Sequence, residues 1–341
     1  MKSKKLTTVI IILGIILSIA IPFALSPSSL QAQTLSQAKT SLLRLHVKNG
    51  KLLNSDNKTV RLKGVSTHGI AWYPEYVNRK AFKTLKKDWK ANVIRLALYT
   101  EEYGGYTTVN DEGKAKLEKI IDNGVKYAAL NKMYVIIDWH ILNDGNPNTH
   151  RKEAIKFFKK TAKKYKGYTN VIYEICNEPN GDVSWSKNIY PYATKVINAI
   201  RKYDTKAPVI VGTPTWSQDV DEVVSKPLKD SNVLYALHFY AGTHGDYLRD
   251  KADKALDANL AIIVSECNIT DASGNGNINK KQGNAWMKWM KKNGISYVVW
   301  NLSNKNEDSA LIKSSCTKKY GWKKKNLSTT GKWFKKKMRK G

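Results

Sequence analysis

Glu178 stands near the end of VIYEICNEPNG, Val171 to Gly181, where a buried apolar strand runs into a carboxylate held between Asn177 and Pro179. A second apolar run, AIIVSE, ends in Glu266. Two glutamates at strand ends, aimed into one cleft, are the equipment for breaking a glycosidic bond, since that reaction needs one protonated carboxyl and one ionised one. Whether the two meet depends on the elements that carry them.

Those elements alternate along the chain. Short β-branched runs read as eight strands: VRLKGVSTHG, NVIRLALY, YVIIDWH, VIYEICNEP, PVIVGTP, VLYALHFY, AIIVSECN and YVVWNLS. Between them lie helical patterns such as Lys114 to Leu130, Arg151 to Tyr165, Tyr190 to Tyr203 and Lys280 to Lys292, with apolar residues at three and four spacing. Near-continuous apolar strands alternating with helices predict a parallel sheet covered by helices, and eight such units close into a (β/α)8 TIM barrel. An open doubly wound sheet is the rival, but no G-x-G-x-x-G or P-loop pattern opens any of the helices. Ahead of the barrel, LHVKNGKLLNSDNKTVRLKG reads as a short hairpin, with turns at Asn49-Gly50 and Ser55-Asp56-Asn57.

In such a barrel every strand opens its C-terminal end on one face. The residues that arrive there are His68 from the first strand, Arg95 and Tyr99 from the second, Asp138-Trp139-His140 from the third and Asn177-Glu178 from the fourth. His238-Phe239-Tyr240 come from the sixth, Glu266 from the seventh and Trp300 from the eighth. Arg95 near a glutamate would favour its ionised form. Trp300 offers a flat face for a sugar ring, which Trp72, Tyr73 and Tyr99 could extend, and Asp138 is placed to orient a histidine rather than to attack. No metal set is expected, because His140 and His238 lack a partner at helical spacing and H-E-x-x-H is absent. No G-x-S-x-G elbow supports a serine nucleophile, although Ser265 precedes Glu266.

The 341 residues suit one large domain behind an export segment. Lys2, Lys4 and Lys5 precede an apolar run from about Val9 to Leu25, which reads as a secretory signal ending after Ser26 or Ala32, with an uncleaved membrane anchor as the rival. The expected division is a signal over 1–32, a linker over 33–44 and a catalytic barrel over 45–341. Cys176, Cys267 and Cys316 are too few for a disulfide framework and read as buried packing residues. The net charge of +30 comes mostly from lysines scattered along helices, with eleven Lys or Arg and no acid after Cys316. That distribution reads as solvated helix faces and carries no nucleic-acid motif, while electrostatic association with an anionic wall polymer or membrane surface stays open.

The motifs GVSTHGIAWY, NVIRLALYTEEYGGY, YVIIDWHILNDGNP, VIYEICNEPNG, YALHFYAGTHG, VSECNITDASGNG and VVWNLSNKNEDSALI follow one another on successive strand ends. In this order the chain resembles glycoside hydrolase family 5, the cellulase family, and its bacterial endoglucanase branch, from about Leu45 to the last helix. The resemblance implies Glu178 as general acid/base and Glu266 as nucleophile, with Asn177 on the sugar's 2-hydroxyl and Arg95 and Tyr240 as partners of the nucleophile. It further implies His68, His140 and His238 as subsite and acid/base support, and Trp300 as the stacking platform. The chain departs from the branch at Cys267-Asn268, where Trp-Gly is usual, and at Cys176, where Ala is usual. The expectation is a secreted, monomeric, cofactor-free endo-β-1,4-glucanase that retains anomeric configuration. β-Mannan or mixed-linkage glucan is the second substrate reading, and a non-catalytic carbohydrate-binding protein is the third. With no separate carbohydrate-binding module in view, soluble chains should be cut faster than crystalline cellulose.

Overall fold

A computed structural model of the chain describes residues 35–340. The expected secretory signal lies outside the described residues. Residues 35–39, expected as linker, are helical, and the Thr169 backbone N–H donates to the Lys39 carbonyl at 2.9 Å. Among the described residues no helix is long and apolar enough to cross a membrane.

Eight parallel strands close into a barrel, with neighbours that follow chain order. They are β3 (Lys63–Thr67), β4 (Val93–Tyr99), β5 (Tyr134–His140), β6 (Val171–Glu174), β7 (Val209–Val211), β8 (Val233–Tyr240), β9 (Ile262–Asn268) and β10 (Ser296–Leu302), and β10 pairs with β3 to complete the ring. Helices cover the outside, so each strand is buried on both faces and its sequence is a continuous apolar run rather than an alternating one. The helix expected from Lys114 starts at Asp111, because the Asn110 side chain accepts from the Gly113 N–H and caps it. The helix expected to reach Tyr203 ends at Arg201.

The barrel interior is layered. Its floor is apolar, with Val93, Tyr134, Ile136, Ile172, Ile210, Leu234 and Ile263 in one cluster. The hairpin of β1 (Leu45–Lys48) and β2 (Lys51–Asn54) plugs this floor, since Leu45 and Leu52 are buried in the same cluster. Above it the inward positions turn polar: Arg95 on β4, Asp138 on β5 and Glu174 on β6 are wholly buried. The mouth is aromatic, with Tyr99, Tyr240 and Trp300 clustered and Trp72 packed against them. Register shifts lie between Ala236 and His238 where β8 meets β9, and between Tyr297 and Val299 where β9 meets β10. The first of them brings His238 opposite Glu266 on the adjacent strand.

Candidate active site

Arg95 is the hub of the polar layer. Its Nε donates to Glu174 Oε2 at 2.7 Å, Nη1 to Glu266 Oε2 at 2.9 Å, and Nη2 to Asn177 Oδ1 at 2.6 Å. Nη2 also lies 3.0 Å from Asp138 Oδ2. Burial alone would push this guanidinium down, but Asp138, Glu174 and Glu266 around it raise it above the usual arginine range, so it stays charged.

Glu266 is held on both oxygens, because Oε1 accepts from the Tyr240 hydroxyl at 2.7 Å and Oε2 from Arg95. Glu178 has one contact, its Oε1 lying 2.9 Å from His238 Nδ1, and His238 Nε2 is 2.9 Å from Ser265 Oγ. Burial pushes Glu178 up to about 8, with Asp138 and Glu174 adding to the rise and Arg95 opposing it. Burial and the Glu178 carboxyl also push Glu266 up, and Arg95 pulls it back. Two donors address Glu266 directly and none of that strength addresses Glu178, so a single proton shared by the pair rests on Glu178.

A carboxylate oxygen of Glu178 and one of Glu266 lie within 4.8 Å of each other, with a His238 nitrogen at the same range. Among the described residues this trio is the one group with metal-ligating atoms so close, but Arg95, Tyr240 and His238 already engage the carboxylate oxygens, and the Arg95 cation sits against Glu266.

His140 Nδ1 is 2.6 Å from Asp138 Oδ2, and its Nε2 accepts from the Asn177 amide at 3.3 Å. Asp138 thus orients a histidine, as its position suggested. Asn177 is fixed further by donating to the Ile141 carbonyl at 3.0 Å. His140 lies almost parallel to Trp300, their ring centres 5.2 Å apart, and 4.2 Å from the Tyr99 ring. His68 accepts from the Gly69 N–H through Nδ1 and packs 5.0 Å from Trp300 and 5.4 Å from Trp72. Trp72 leans on Tyr99 at 4.6 Å and donates from Nε1 to the Tyr103 carbonyl. Burial pushes His68 and His238 down to about 4 and His140 well below its ordinary value, so all three are neutral. Nine of the residues expected at the mouth, including Glu178 and Glu266, therefore line one open cleft of about 600 Å³, with Arg95, Asn177 and Asp138 as immediate supports, whereas Trp139 and Phe239 turn into the core and Tyr73 packs against it without lining the cleft.

Four contributors were not singled out. Glu174 is an acid inside an apolar strand, four residues before Glu178, and a buried acid there demands a cation such as Arg95. Lys305 and Glu307 line the cleft as an ion pair at 2.7 Å, with Asn301 also donating to Glu307. Trp216, 46% exposed, lines the rim from a turn in which Thr215, Trp216 and Ser217 all have positive φ, near +56°. That turn is tied to the Asn-Glu-Pro loop, with Trp216 N–H donating to the Pro179 carbonyl and Ser217 Oγ to the Asn177 carbonyl. No local motif announces a left-handed turn of three non-glycine residues. Cys176 and Cys267 are buried and free, bonded weakly to the Gly212 and Val298 carbonyls.

Residues 53–306 match the model of the cellulase family, glycosyl hydrolase family 5. The chain is 47% identical over 292 residues to endoglucanase A of Butyrivibrio fibrisolvens, covering 85% of this chain and 67% of that protein. It is 46% identical over 293 residues to an endoglucanase of Clostridium saccharobutylicum, covering 86% and 64%. The chain thus spans about two thirds of the length of these curated relatives. Among solved structures, cellulase Cel5C_n superposes with a TM-score of 0.82 at 43% identity, over 86% of this chain and 91% of that one. The catalytic domain of Thermobifida fusca endoglucanase Cel5A, a variant in complex with cellotetraose, gives 0.81 at 32% identity over 87% and 97%.

Proposed function

The chain belongs to glycosyl hydrolase family 5, and from its paired carboxyls we infer that it is an endo-acting β-1,4-glucanase working by a retaining double displacement. The observation that carries this reading is the approach of Glu178 and Glu266 to within 4.8 Å. Retaining enzymes hold their carboxyls about 5 to 5.5 Å apart, whereas inverting ones leave about 6.5 to 9.5 Å for a water. Glu266, ionised beside Arg95, attacks the anomeric carbon as Glu178 gives its proton to the leaving oxygen. Glu178 then takes a proton from water, and the resulting hydroxide equivalent releases the glycosyl enzyme. Asn177 faces the sugar's 2-hydroxyl, and Trp300 stacks beneath the ring. Neutral His238 holds the Glu178 carboxyl in place through both steps, and the attacking water restores its proton.

The substrate is a β-1,4-linked glucan, a reading supported by the relatives' names, endoglucanase and cellulase. Export through the amino-terminal segment is part of the same proposal, supported by the lysine-flanked apolar run, and amino-terminal sequencing of protein from the medium should begin after Ser26 or Ala32. The deciding experiment follows carboxymethylcellulose and cello-oligosaccharide hydrolysis by NMR. The β-anomer should appear first, and Glu266→Gln should lose more than about a thousandfold in kcat. Inverted product, or an active variant, would sink the mechanism. Comparing rates on lichenan and glucomannan fixes the preferred glycan.

A further inference from the structure

Two segments far apart in the chain bring most of the excess charge to one flank. Arg79–Lys90 carries six basic residues against Asp88, and Lys313–Lys340 carries twelve and no acid. They are packed together: Gly321 N–H donates to Thr84 Oγ1 at 3.0 Å, Arg339 Nη1 to the Asp88 carbonyl at 2.8 Å, and Trp322 stacks on Tyr76. None of these basic residues lines the cleft.

The flank differs from the other lysine-rich faces in having almost no counter-charge. On the helix Arg151–Tyr165, Lys160 and Lys164 pair with Glu118 and Asp122 at 2.5 Å. Among the described residues, Lys319 is the one of the flank's eighteen cations with an ion pair, to Glu75 at 2.7 Å. The cations repel one another instead. Burial followed by Lys340 and Lys336 pushes Lys337 down, and burial, with Arg339 and Lys323 adding and Asp88 opposing, does the same to Lys335. A bound anion would relieve this repulsion.

We propose that this flank is a docking surface for a flexible phosphate-bearing polymer without bases. Sixteen of the eighteen cations are lysine. Lysine meets phosphate as a freely rotating point charge, whereas planar carboxylates favour the arginine fork. Tyr320 is the one large apolar side chain exposed on the flank among the described residues, so the surface lacks the wedge that membrane insertion requires and the row of rings on which bases stack. Charge attraction along a linear chain is what remains.

The test measures binding of inorganic polyphosphate to the protein by fluorescence anisotropy across a salt series. One variant carries Lys323→Glu, Lys324→Glu, Lys325→Glu and Lys336→Glu. A control carries the same charge reversal elsewhere, at Lys152, Lys156, Lys159 and Lys163, all exposed. The flank variant should weaken binding by at least about tenfold and flatten the salt slope, with the control within about threefold. A set of Lys→Gln changes at the four flank positions should act in the same direction if charge reversal perturbs the fold. Lichenan hydrolysis should be unchanged in all of them. Equal loss in flank variant and control would overturn the proposal, since net charge alone would then suffice. Tighter binding of polygalacturonate, of phosphatidylglycerol vesicles or of single-stranded DNA than of polyphosphate would overturn the assigned partner.

Discussion

Glu174 shows how the site's electrostatics extend beyond the reacting pair. Three buried carboxyls, Asp138, Glu174 and Glu266, and the partly buried Glu178 surround one guanidinium, so all four cannot be ionised together. Glu174 neutralises Arg95 from below and its charge raises Glu178. Glu174→Gln keeps an oxygen for the Arg95 Nε bond and removes the charge. Glu178 then falls, Arg95 bears more fully on Glu266, and both limbs of the kcat/KM profile move to lower pH. Limbs that stay in place while activity drops would mean that Glu174 only packs. In the wild type, activity should fall above about pH 8 as Glu178 loses the proton it must donate, which a pH-rate profile on a neutral oligosaccharide checks.

At the scale of elements, the hairpin of β1 and β2 is a stopper for the barrel floor rather than an ornament. Leu45 is 1% exposed among floor residues of β4, β5 and β8. Leu45→Ala should cost roughly 2–5 kcal/mol in denaturant unfolding while leaving KM unchanged, because the cavity opens at the end away from the cleft. Altered KM with unaltered stability would contradict that division of labour. The eight strands were legible because strands buried on both faces are uninterrupted runs of Val, Ile, Leu and Tyr, and their common polarity put His68, Arg95, His140, Glu178, His238, Glu266 and Trp300 at one end. What was not legible depends on contacts across the chain. Asp111 joins its helix through the Asn110 cap, Glu174 looks like a strand residue until Arg95 is seen beside it, and Trp216 reaches the rim through left-handed backbone held by Pro179 and Asn177.

For the whole molecule, the same buried groups set how stability depends on pH. Burial pushes Asp138 up to about 7 and Glu178 up to about 8, so the fold holds these protons more tightly than the unfolded chain does. Their contribution is complete below the ordinary carboxylate range and is lost as pH rises through about 7 to 8. His68, His238 and His244, each pushed down to about 4 by burial, work with the opposite sign. Their contribution is complete above the ordinary imidazole value of 6.5 and is lost as pH falls through about 4. Self-repulsion from the +30 charge adds a salt-sensitive penalty, so thermal stability should rise with ionic strength. The melting temperature at fixed salt should therefore peak between about pH 5 and 7 and decline on both sides. Glu178→Gln separates the two limbs, since it removes the ionisation that costs stability on the alkaline side, leaves His68 and His244 alone and keeps an amide beside His238. Its gain in melting temperature over the wild type should be larger at pH 8 than at pH 5, and an equal gain at both would show that Glu178 enters the fold already ionised.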